Sequence, residues 1–152
     1  MTPSRKFFRY ALPMLLWASL IALLSMGLFR GGLTERLLAA VALFLYADLS
    51  PSTLAVVHAV LRKSAHVFEY MIFALLVWRL LQREAAERWR TSWAVATAAL
   101  GLLLAGADEL HQFYTRSRAG SIVDVGWDAL GVALALGFLY LRARPARATS
   151  VN

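Results

Sequence analysis

Two stretches of this 152-residue sequence set ionisable and amide side chains inside otherwise apolar runs: Arg62-Lys63-x-x-His66-x-x-Glu69-Tyr70 and Asp108-Glu109-x-x-Gln112. A third pair, Asp124 and Asp128, opens the last apolar run, and Arg116 and Arg118 lie in the polar connection between the acidic stretches. On a helix, i, i+3, i+4 spacing puts Lys63, His66 and Tyr70 on one face with Glu69 beside them. It also aligns Asp108 with Gln112, sets Glu109 next to them, and stacks Asp124 above Asp128. Three kinds of chemistry are open to such a set. Arg118 and Lys63 can hold a phosphate or carboxylate through charge-assisted hydrogen bonds, while the acids and Gln112 accept from hydroxyl or ammonium groups. Glu69, His66, Asp108 or Glu109 can serve as general acid or base, with Arg118 stabilising a developing anion. Alternatively, Lys63 and Arg118 neutralise Asp108, Glu109, Asp124 or Asp128 in an ion-pair network that fixes helix packing or meets a partner subunit.

Other chemistries find less support. His66, Glu69, Asp108, Glu109, Asp124 and Asp128 are donors suited to hard or borderline divalent ions, yet there is no H-E-x-x-H arrangement and the adjacent basic residues oppose a central cation. No metal and no cofactor is expected. Ser64 and His66, two apart, face different ways on a helix, so no Ser-His-Asp set forms. Cysteine is absent, which removes disulfide and thiol chemistry. His66 reads as a hydrogen-bonded packing residue before a catalyst, and His58 and His111 are given no role.

The elements that must position these groups are membrane helices. Sixty per cent of the residues are apolar and the mean hydropathy is +0.59, too apolar for a water-soluble domain of this size. Apolar runs of the roughly 20 residues needed to cross a bilayer predict an all-α fold with about four transmembrane helices, at about 10–29, 65–82, 93–113 and 124–142. Pro13 is placed near the start of the first, where its missing N–H costs little. Between the first two, residues 33–61 contain only short apolar runs broken by Asp48, Ser50 and Pro51, and are read as interfacial or re-entrant. Gly101, Gly106, Gly131 and Gly137 are expected to allow close helix approach. The whole chain, 1–152, forms one domain.

The net charge of +7 does not point to nucleic acid, because the basic residues flank apolar runs instead of forming a polar domain. Ten of them fall at the N-terminus, the link after the second helix and the tail, against six at the other face. That bias predicts both termini on the cytoplasmic side, with Tyr10, Trp89, Trp93 and Tyr140 in the inner aromatic belt and the polar cluster on the outer face. Membrane lipids are the expected surroundings, and an anionic lipid or cell-wall precursor the expected ligand.

The run Arg62 to Tyr70, with Asp108-Glu109-Leu110-His111-Gln112-Phe113 and then Arg118, Asp124, Asp128 and Gly131 in order, resembles the VanZ-like family. The likeness spans most of the chain. It implies a multi-pass protein of the bacterial cytoplasmic membrane and cell envelope, in a family whose best-known member is associated with resistance to the glycopeptide teicoplanin. It implies no particular reaction. Arg116-Ser117 stands where many relatives have Pro-Gly, and Ala135 where a second glycine is common on the last helix.

Overall fold

A computed structural model describes residues 2–25, 50–83, 85–114 and 122–144. Among these described residues four helices are long and apolar enough to cross a membrane. We label them α1 (Pro3–Ser25, with a π-helical turn at Phe7–Ala11), α2 (Pro51–Gln82), α3 (Thr91–Tyr114) and α4 (Ile122–Ala143). The buried face of the bundle is narrow: Ile21 from α1, Tyr70, Phe73, Ala74 and Val77 from α2, Ala105 from α3, Val132 and Ala135 from α4. The outward faces carry Leu16, Val95, Leu103, Leu134 and Phe138, all exposed, as helices facing lipid should.

Pro13 does not lie in the first turn. It is ten residues into α1, and the turn before it is wound wide, with the Leu12 N–H bonded to the Phe7 carbonyl five residues back. A π turn is a usual way for a helix to absorb a proline that cannot bond to the preceding turn.

The second boundary also differs from expectation. α2 begins at Pro51, not near residue 65: Ser50 caps it by accepting from the Thr53 N–H at 3.2 Å, and Pro51 stands in the first turn, where no N–H is required. Residues 54–61, read as a separate interfacial run, are the first turns of one 32-residue helix. At 1.5 Å per residue that helix is about 48 Å long, well beyond the ~30 Å hydrocarbon core, so one end extends past the span. The remainder of the expected interfacial segment, 33–49, lies outside the described residues. α2 ends at Arg83, whose φ of 45° turns the chain while its N–H still bonds the Arg79 carbonyl at 3.0 Å.

α2 and α4 run parallel to one another in the most extensive helix contact among the described residues, and α3 runs antiparallel to both. Gly131 makes this closeness possible. A Cβ there would press on the Val67 carbonyl oxygen and come within 3.0 Å of the Met71 nitrogen, both backbone atoms of α2. Gly101 plays the same part between α3 and Val132 of α4, where an added Cβ would meet Cγ2 at 2.7 Å. Gly106 and Gly137 have open space around them and mediate no close approach among the described residues. Ala135, where a second glycine is common in the family pattern, is fully buried in the core, so a methyl group fits there.

Candidate functional site

The close α2–α4 contact sets their polar residues rung against rung. Arg62 donates to Asp124 Oδ2 at 2.5 Å, and one turn deeper His66 Nδ1 donates to Asp128 Oδ1 at 3.0 Å. Both pairs join residues 62 apart in sequence, as two parallel helices in fixed register require. The outer rung is partly open, with the Arg62 side chain 40% exposed, whereas Asp128 is 1% exposed.

From α3, Glu109 and Gln112 face inward and are buried, on the stripe that continues through Ala105, Gly101 and Thr97. Gln112 Nε2 donates to Asp108 Oδ2 at 2.9 Å, the i, i+4 pair expected of that spacing. Tyr70 lies fully buried on α2 one turn beyond His66. Glu69 is half-buried, and its carboxylate has no hydrogen bond or ion pair among the described residues, while its main-chain carbonyl accepts from Trp17 Nε1 of α1 at 2.9 Å. All four helices therefore meet at this level.

Three buried oxygens stay unmet among the described residues: Asp128 Oδ2 and Tyr70 Oη in this cluster, and Thr97 Oγ1 further along α3. In a membrane interior each unsatisfied polar atom costs on the order of a few kcal/mol, so a further hydrogen-bonding partner at these oxygens would be stabilising. Among the described residues no three His, Asp or Glu side chains are grouped to hold a metal ion.

Of the residues singled out from sequence, His66, Glu69, Tyr70, Asp108, Glu109, Gln112, Asp124 and Asp128 lie at one end of the bundle. Arg118 falls outside the described residues. Lys63 is near but does not pair with a carboxylate as expected: its ammonium stands 5.1 Å from the ring centroid of Trp127, a cation–π contact, and Arg62 makes the ion pair with Asp124 instead. Arg62 opens the motif but is given no pairing role in the sequence reading, and Trp17 is not among its site residues. The signal for Arg62 was in the spacing, because 62, 66 and 70 form the same i, i+4 line that 124 and 128 form on α4. No sequence signal identified Trp17, whose contact is to main chain.

The model of the family described as VanZ/LLP1 matches residues 10–143, which include every residue of the polar cluster. No curated protein matches the chain, and no solved structure does. With nearly its whole length matched, and with the motif residues meeting on adjacent helices, the chain belongs to the VanZ/LLP1 family.

Proposed function

We propose that this chain is an envelope protein of the bacterial cytoplasmic membrane whose polar cluster binds the headgroup of an anionic lipid or a lipid-linked cell-wall precursor. The observation carrying this reading is the pair of buried, unmet oxygens in the cluster, Asp128 Oδ2 and Tyr70 Oη, on residues one and two turns deeper than the cations Arg62 and Lys63. A carboxylate oxygen needs a donor, and Lys63 on Trp127 keeps its charge near the surface for an anion. A headgroup combining phosphate with hydroxyl or ammonium groups supplies both. The excess of basic residues at the opposite end favours a cytoplasmic location for that end and an outward-facing cluster.

Titration of a polyprenyl-linked sugar phosphate, which carries both phosphate and hydroxyl groups, into the purified protein, followed by native mass spectrometry, tests this. Binding is expected in the wild type and a loss of about tenfold in Lys63→Ala and Asp128→Asn, roughly the effect of one charge-assisted hydrogen bond. Unchanged binding in both variants overturns the proposal. Through the same headgroup the protein would alter glycopeptide susceptibility, so its expression in a susceptible host should raise the inhibitory concentration of teicoplanin, and Asp128→Asn should abolish the rise.

A second reading, an enzyme acting on a lipid-linked phosphate, is favoured by one contact. Holding His66 Nδ1 against Asp128 is the geometry that fixes an imidazole tautomer and leaves Nε2 basic. A single-turnover assay with lipid phosphates should then show release of inorganic phosphate by the wild type and none by His66→Gln; no release by the wild type sinks it.

A further inference from the structure

The acids at the carboxylate end are unevenly served. Asp124 is paired with Arg62, and Lys63 stands at the same outer level against Trp127. Deeper in, no Lys or Arg pairs with Glu69, Asp108 or Asp128 among the described residues. Asp108 accepts from the neutral Gln112 amide at 2.9 Å, and Asp128 from His66 at 3.0 Å through Oδ1 alone.

These inner acids surround one hydroxyl. Tyr70 is 1% exposed with its Oη unmet, and the charges acting on that oxygen are Asp128, Asp108, Glu69 and Glu109, all carboxylates. His66 ties the group together: Asp128 bonds to its ring, while Glu69 and Tyr70 follow it on α2 at i+3 and i+4, its neighbours on one helix face. Glu69 and the His66 ring are partly exposed, whereas Asp128 and Tyr70 are buried. The set thus runs from an accessible carboxylate inward to two buried oxygens.

What such a set lacks is a positively charged donor. A hydroxyl brings one O–H, meets one oxygen and leaves the like charges as they were. A primary ammonium brings three N–H groups and no acceptor that must be satisfied in turn. It also bonds to carboxylates more strongly than a neutral donor does.

We infer that Glu69, Asp128 and the Tyr70 hydroxyl form a seat for a primary ammonium, so that the headgroup taken by this cluster bears an amine as well as a phosphate. This rests on the headgroup reading above and narrows it. With the phosphate at the level of Arg62 and Lys63 and the ammonium one to two turns deeper, the two groups stand about 5–11 Å apart.

The test compares two ligands that differ only in the amine: polyprenyl phosphate-linked 6-amino-6-deoxyglucose and polyprenyl phosphate-linked glucose. Each is titrated at neutral pH into the full-length protein in detergent and followed by native mass spectrometry. Wild type should bind the amino sugar about tenfold more tightly, the effect of one charge-assisted hydrogen bond. Asp128→Asn should bind the two equally, and Glu69→Gln should lower the preference to about threefold. Because Asp128→Asn also weakens the bond to His66, Glu69→Gln, whose carboxylate has no described partner, decides the matter if the first variant does not fold. Equal binding of the two sugars by the wild type overturns the inference and leaves the headgroup reading in place, whereas binding of neither overturns both. A preference unchanged in the variants also overturns it, because the ammonium would then sit elsewhere.

Discussion

The two ends of this bundle solve the problem of polar residues in a membrane in opposite ways. At one end, charges are drawn inward and matched across helices: Arg62 to Asp124, His66 to Asp128, with Glu109 and Gln112 buried beside them. At the other, arginines stay at the surface and lean on rings, as Arg144 does on Tyr140 at 4.5 Å and Arg90 on Trp93 at 5.1 Å. The first arrangement depends on helix register, because its partners come from different helices. The second is largely local, Arg144 reaching a ring only four residues away. Substitutions should therefore be costly at the carboxylate end and cheap at the arginine end.

The largest effect is expected from Gly131→Leu. With the Val67 carbonyl already against the missing Cβ, a bulky side chain forces α4 off α2 and breaks both polar rungs at once. A loss of about 3 kcal/mol or more is expected, read as the thermal midpoint of the detergent-solubilised protein. Next comes Asp128→Ala, which strands His66 in the bundle. A double-mutant cycle with His66→Ala should give a coupling of about 1–2 kcal/mol. A coupling near zero would mean that the inner rung contributes nothing beyond its separate side chains.

Trp17→Phe should cost less, about 0.6 kcal/mol, an average interhelical hydrogen bond in a membrane, and the same denaturation assay measures it. The smallest effect belongs to the arginine end. Arg144→Ala should lower stability by no more than about 0.5 kcal/mol, since an exposed cation–π contact contributes little. If Arg144→Ala were as damaging as Asp128→Ala, the distinction between a register-dependent end and a local end would not hold.

The polar cluster was legible in the sequence for the reason that made other features hard to see. In lipid, the outside of a helix is as apolar as its inside, so hydrophobic periodicity barely marks the buried face. Phe68 and Phe73 of α2 look alike in sequence, yet one is exposed and the other in the core. Polar residues do mark it, and His66, Glu109, Gln112, Asp124 and Asp128 identified the inward stripes correctly. Choosing Lys63 over its neighbour Arg62 as the pairing cation failed because both fit helical spacing with His66, and only the register with α4 separates them. The start of α2 was missed because Asp48, Ser50 and Pro51 were taken to interrupt an element, when Ser50 and Pro51 cap and open one.

The fixed separation of 62 residues between the rung partners also bears on how the protein is made. α2 leaves the ribosome with Arg62 and His66 before Asp124 and Asp128 have been synthesised. At a translation rate of 5–20 residues per second the interval is about 3–12 s. During that time α2 must wait at the insertion machinery, or at the membrane surface, with its cations solvated. The last helix thus acts as the latch of assembly. A chain stopped after α3 would contain three spans of adequate length and still fail to settle as a bundle.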